Sequence, residues 1–162
     1  MDQPIDHWQG FDVAVGAWRL GDLAAERLPA AAIGALSSGC DTPSLRVLAG
    51  MEGSGWSEVE PVLASVFAER GRELPVKEEA LKLVADDLVR TLVEGDMEPQ
   101  EAVERLRELA WRAVDTPQWD DLDSFVGLAW DWGDEFFDRD ELRRVTLQVA
   151  TDLLERGGLR LG

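Results

Sequence analysis

Ten carboxylates crowd the 28 residues from Asp115 to Leu142, where Arg139 is the single base. The acids are Asp115, Asp120, Asp121, Asp123, Asp131, Asp134, Glu135, Asp138, Asp140 and Glu141, and the aromatic residues Trp119, Phe125, Trp130, Trp132, Phe136 and Phe137 lie among them. Carboxylates at this density could bind a divalent cation or meet the basic groups of a partner. Because aromatic side chains favour burial and carboxylates favour water, we expect an ordered segment with its negative charge in solvent.

A single helix over 118–138 would separate the two kinds of residue onto opposite faces. Its core stripe would be Leu122, Phe125, Val126, Ala129, Trp132, Gly133 and Phe136. Asp120, Asp123, Asp131, Asp134 and Asp138 would share the other side, with Glu135 near them and Trp130 beside the acidic arc. Gly127 and Gly133 weaken such a helix, so a kink or break is the alternative.

Neighbouring helical segments place acids and bases at spacings that pair them, as in Glu101 with Arg105 and Glu104 with Arg107. The acidic segment lacks this pattern and sets like charges three or four residues apart. Some of its acids have an ordinary use at helix ends, where a cap or the helix dipole favours a carboxylate. The remainder form a solvated face, a face paired with arginines from 143–160, or a surface that a partner covers.

For this face we predict a non-enzymatic protein-binding role that requires no cofactor. The partner would be basic, and an immunity protein or antitoxin that inhibits a nuclease fits the size, the acidity and the helical character. In these general features the chain is similar to colicin-type immunity proteins. The predicted partner-binding residues are Asp120, Asp123, Trp130, Asp131, Asp134, Glu135 and Asp138, with Trp130 as the anchor.

Two other functions remain open on the sequence. One carboxylate pair is Glu98 with Glu101, or Glu101 with Glu104, and the next is Glu135 with Asp138. This spacing is similar to the paired carboxylates of all-α nucleotide pyrophosphatases of the MazG type, and the resemblance would imply bound Mg²⁺. The gap between the pairs is longer than in that family. The other alternative is a structural or interaction protein that inhibits nothing.

Composition limits the remaining classes of function. A formal charge of −17 over 162 residues disfavours nucleic acid and anionic membrane surfaces as direct partners. One cysteine and one histidine exclude an internal disulfide and a His-rich zinc site. With 45% hydrophobic residues and neither a signal peptide nor an apolar run of membrane-spanning length, we expect one cytoplasmic domain over 1–162. Abundant arginine relative to lysine is typical of GC-rich bacterial genomes.

Residues that start and end helices recur along the chain and predict an all-α fold of six to eight short antiparallel helices with an acidic surface. Prolines at 43, 75, 99 and 117 precede or open helical patterns, and glycines at 50, 71, 95 and 157–158 close them. Linkers of a few residues favour antiparallel packing of consecutive helices. The termini, 1–10 and 159–162, are expected to fray.

A turn after an Ala-rich segment carries a likeness to a known group of proteins. Gly39, Asp41, Pro43, Leu45, Arg46, Leu48, Ala49 and Gly50 fit the pattern Gly-x-Asp-x-Pro-x-Leu-Arg-x-Leu-Ala-Gly. In this the chain resembles a family of small, uncharacterised helical proteins from actinobacteria, over about residues 15–110 and without the acidic segment. The resemblance implies a helical fold and a cytoplasmic location, and it implies no activity.

Overall fold

The computed structural model describes residues 6–161, which are all-α. The helices are α1 (Gln9–Arg19), α2 (Leu28–Ser37), α3 (Pro43–Ala49), α4 (Trp56–Glu69), α5 (Lys77–Glu94), α6 (Pro99–Arg112), α7 (Gln118–Gly133) and α8 (Arg139–Glu155), with a 3₁₀ turn at Ala25–Arg27. The prediction of six to eight helices is confirmed, and this part of the chain contains no strand. None of its helices has the length and apolar character required to cross a bilayer.

Local sequence explains where α3 and α8 begin. The Thr42 hydroxyl accepts a hydrogen bond from the Leu45 amide and caps α3, and Pro43 follows as the first helical residue. Asp138 caps α8 in the same way, accepting from the amides of Asp140 and Glu141 at 2.9 Å. These caps satisfy amides that have no partner within the helix itself.

The contacts divide the chain into two compact units, one ending at Ala80 and the other beginning at Leu81. In the first unit, α1 packs on α2, α2 on α3 and α3 on α4. Its core includes the buried side chains Phe11, Val15, Leu28, Leu45, Leu48, Leu63, Val66 and Phe67. That the chain folds as one domain stays a prediction.

A buried ion cluster joins α1 to the end of α4 in the first unit. The Asp12 carboxylate accepts hydrogen bonds from Arg70 at 2.6 and 2.9 Å and from Arg72 at 2.8 Å. The Arg70 guanidinium also lies over the Trp8 ring, 3.9 Å from its centroid. Trp8 in turn packs edge to face on Phe11. A buried carboxylate of this kind is tolerated because its charge is fully paired.

In the second unit α6 and α7 form the main helix pair, and α8 packs on both. Residues 157–160 are bound to α5 and α7 through polar contacts. The Asp86 carboxylate accepts from the Leu159 amide at 2.8 Å, and the Lys82 ammonium donates to Asp86 at 2.7 Å and to the Leu159 carbonyl at 2.5 Å. At Gly158, where φ is +79°, an added Cβ would lie 2.5 Å from an Asp86 oxygen.

Two sequence expectations differ from the structure. The helix over 118–138 is interrupted, because α7 ends at Gly133 and Asp134 is extended, with φ of −95° and ψ of 129°. The ends of the chain are also more ordered than expected: Gln9 and Gly10 belong to α1, and Leu159 is buried. Residues 1–5 and 162 of the predicted frayed termini lie outside the described residues.

Candidate functional site

An open groove of about 810 Å³ lies in the second unit where α7 ends and the turn toward α8 begins. One wall comes from α6 and the other from the last turn of α7 and the residues after it. Its lining is Glu104, Arg107, Ala129, Trp130, Asp131, Gly133, Asp134, Glu135 and Phe136. Four of the predicted site residues therefore line one concave surface: Trp130, Asp131, Asp134 and Glu135.

The three groove acids that follow Trp130 in the chain are left without basic partners in the described residues. Among residues 6–161, no ion pair includes Asp131, Asp134 or Glu135. Asp134 has a local use, since its carboxylate accepts a hydrogen bond from the Phe136 amide at 2.9 Å and shapes the turn. The carboxylates of Asp131 and Glu135 are thus available to a ligand.

The arginines that could have neutralised this cluster bind elsewhere. Arg143 pairs with Glu98 at 2.9 Å, and Arg144 pairs with Glu141 at 2.6 Å. Arg156 donates to a backbone carbonyl in α8, and Arg160 bonds Asp121. The pairing with arginines from 143–160 that the sequence left open is therefore absent from Asp131, Asp134 and Glu135 in the described chain.

The end of α7 adds to the negative potential of the groove. Its last turn carries Asp131 and no basic residue. The carbonyl end of a helix disfavours a carboxylate, typically by about 0.3–1 kcal/mol. One of the terminal carbonyls, that of Trp132, accepts a hydrogen bond from Arg139 at 2.5 Å. Asp131 thus occupies a position that helix stability does not explain.

Aromatic side chains flank the acids and face solvent. Trp130 is 68% exposed and Phe136 is 96% exposed. The sequence placed Phe136 on the buried stripe, and this was wrong because the helix stops at Gly133 and the following residues no longer keep helical spacing. Two large exposed apolar side chains that line the same groove form a surface of the kind that a partner can cover.

The groove is built on a fixed support. Trp132 is buried, and its indole Nε1 donates to the Thr146 hydroxyl at 3.1 Å, which ties α7 to α8. The Arg139 guanidinium lies 5.4 Å from the centroid of the same indole. Because these contacts hold the last turn of α7, the neighbouring Trp130 projects from an ordered element.

The other three predicted site residues lie away from the groove lining. Asp120 and Asp123 are exposed on the first half of α7. Asp138 is the N-cap of α8, where one of its carboxylate oxygens accepts from the Asp140 and Glu141 amides, and its place in a binding face stays a prediction. Asp121, which lies between Asp120 and Asp123 along the helix, is buried and accepts from the Arg160 amide at 2.9 Å.

The sequence did not predict that α6 forms one wall of the groove or that Phe136 lines it. Arg107 donates through two nitrogens to one oxygen of Glu104, at 3.0 and 2.6 Å. Their spacing of three residues predicted the pair, but nothing in the sequence aligned it with the end of α7. The groove thus carries four carboxylates against one guanidinium that is already bound.

Four of the five carboxylates proposed for Mg²⁺ are bound to separate partners, and the fifth, Glu135, has no partner among the described residues. Glu98 pairs with Arg143. Glu101 pairs with Arg105, Glu104 with Arg107, and Asp138 with the first turn of α8. Across residues 6–161 no three acid, histidine or cysteine side chains are placed to hold one metal ion. The pyrophosphatase alternative stays a prediction from the sequence.

Comparison with known proteins adds no relative: no family model, no curated protein and no solved structure matches this chain. The resemblance to small actinobacterial helical proteins stays an expectation from the sequence. Any function must therefore be inferred from the groove itself.

Proposed function

We propose that this chain is a non-enzymatic, cytoplasmic protein-binding module of the immunity-protein or antitoxin type, which inhibits a basic partner, with a nuclease as the leading class. The observation that carries the proposal is the groove at the end of α7. There Asp131 and Glu135, unpaired among the described residues, lie with the exposed Trp130 and Phe136. Aromatic residues of this kind are common energetic centres of protein interfaces, and unpaired charges beside them select a partner of opposite sign.

Electrostatics supports the same role over a longer range. The net charge of −17 would accelerate encounter with a basic protein, and the exposed Asp120 and Asp123 extend the negative surface along α7. An inhibitor that must find its partner before damage occurs benefits from such steering. Association should therefore slow and weaken as salt is raised.

The proposal is tested with two isosteric triple variants. The groove variant is Asp131→Asn, Asp134→Asn and Glu135→Gln, in which an asparagine at 134 keeps the oxygen that accepts from Phe136. The matched control is Glu73→Gln, Glu94→Gln and Asp96→Asn, three exposed acids without ion pairs in the described chain. Both variants change the net charge from −17 to −14.

The full chain is used as bait at about 50 mM salt, a low screening condition. Each captured protein is then identified, purified and assayed alone and with the chain. We expect a basic protein whose own activity falls on binding, with an affinity at least about tenfold weaker for the groove variant and within about twofold for the control. Equal affinity for the two variants, or binding that does not respond to salt, would contradict the proposal.

A further inference from the structure

The groove contains the groups that bind a guanidinium, but its own arginine is occupied. Trp130 and Phe136 offer exposed ring faces and edges, and Asp131 and Glu135 offer carboxylate oxygens. Arg107 lines the same groove, yet it donates to Glu104. The result is a concave surface with aromatic and anionic groups and no free cation from the described lining.

The first unit shows how this chain satisfies such a set of groups. The Arg70 guanidinium lies 3.9 Å from the Trp8 ring centroid and 5.1 Å from that of Phe67. At the same time it donates two hydrogen bonds to the Asp12 carboxylate, at 2.6 and 2.9 Å. One planar cation thus serves an indole, a phenyl ring and an acid together. The groove repeats these three kinds of group without the cation.

The chemistry of the groove favours arginine over the other basic side chain. A guanidinium is planar, stacks on aromatic rings and can bond a carboxylate through two parallel donors. A lysine ammonium is a compact, strongly hydrated charge that gains less from stacking. The negative lining disfavours phosphate and carboxylate ligands, so charge complementarity points to a cationic occupant.

We propose that the groove receives the guanidinium of an arginine side chain presented by the basic partner, stacked on Trp130 and bonded to Asp131 or Glu135. This inference rests on the proposed function and names the chemistry of its contact. Phe136 covers the aliphatic part of the same side chain. The partner therefore carries an exposed arginine at the centre of its contact surface.

The test uses two defined probes, acetyl-Gly-Arg-Gly-amide and acetyl-Gly-Lys-Gly-amide, which differ only in the cationic group. Each is titrated into the isotopically labelled full chain at low salt, and NMR follows the indole N–H of Trp130 and the amides of 131–136. The variants are Trp130→Leu and, as a matched control, Trp111→Leu. Trp111 is 59% exposed on α6 and does not line the groove.

We expect saturable shifts at Trp130 and 131–136, with the arginine probe bound about threefold more tightly than the lysine probe. Trp130→Leu should remove that preference, and Trp111→Leu should leave it unchanged. Equal affinity for both probes, a preference that survives Trp130→Leu, or no saturable shift would overturn the arginine assignment. The capture experiment tests the proposed function separately. If the arginine assignment fails but a captured partner still depends on Asp131, Asp134 and Glu135, the acidic groove binds that partner through a group other than arginine.

Discussion

Removing the Asp12 carboxylate should destabilise the first unit more than removing the charge of an exposed side chain. The Arg70 side chain is only 10% exposed, and it gives Asp12 two of its three hydrogen bonds. With alanine at position 12, that guanidinium stays buried without its counter-charge. Breaking a buried pair in this way costs about 3–5 kcal/mol of unfolding free energy.

The second arginine of the cluster gives the internal comparison. Arg72 donates one bond of 2.8 Å to Asp12, and its side chain is 48% exposed. Water screens this pair, so Arg72→Ala should cost about 1 kcal/mol or less. The structure thus predicts a ratio of at least about threefold between the two losses, independent of any absolute scale.

Native-state hydrogen exchange is the suitable assay, because it reports the opening of α1 and α4 even if other parts of the chain unfold separately. Amides in the middle of α1, such as that of Val15, should lose protection in Asp12→Ala by the whole of the predicted loss in unfolding free energy. In the double variant Asp12→Ala/Arg70→Ala the loss should be smaller than the sum of the single losses, because the two residues interact directly. A loss in Asp12→Ala no larger than that in Arg72→Ala would refute the reasoning.

Two further variants test contacts between helices. The pKa of Glu69 is lowered because the Ser44 hydroxyl and amide donate to its carboxylate, so the stabilisation is present at neutral pH and is lost as the pH falls through the lowered pKa. The difference in unfolding free energy between the native chain and Glu69→Gln should therefore shrink below about pH 4.5, measured by urea unfolding across pH. Trp132→Phe removes a buried hydrogen bond to Thr146 and part of a ring, and should cost about 1–3 kcal/mol in the same assay. The exposed Trp130→Phe should cost less than about 0.5 kcal/mol, and equal losses for the two would contradict the assigned burial.

Helix ends were predictable because their causes are local. Thr42 and Pro43 mark the start of α3 within two residues, and Asp138 caps α8 from a position directly before an acidic first turn. The break at Gly133 was foreseen only as an alternative to a continuous helix. Intrinsic propensity lowers the stability of a helix at glycine by about 1 kcal/mol, and that is too little to decide between continuation and termination.

Contacts between distant residues could not be read from spacing. Arg70 and Asp12 lie 58 residues apart, and Arg160 and Asp121 lie 39 apart. Both acids are buried, so composition alone would have assigned them to the surface. For the candidate site, sequence reasoning identified the cluster of Asp131, Asp134 and Glu135 beside Trp130, because unpaired like charges at helical spacing are a local signal.

The backbone at Gly158 lies close to side chains of another segment, and this close contact restricts how the sequence can evolve. Because φ is +79° and an Asp86 oxygen would lie 2.5 Å from an added Cβ, almost every substitution of Gly158 should be unfavourable. Asp86 is constrained in turn by the Leu159 amide and by Lys82. In homologues, the residues at 158, 86 and 82 should therefore change together. A homologue without glycine at 158 should also have a different residue at 86, and its residue at 82 should differ from lysine.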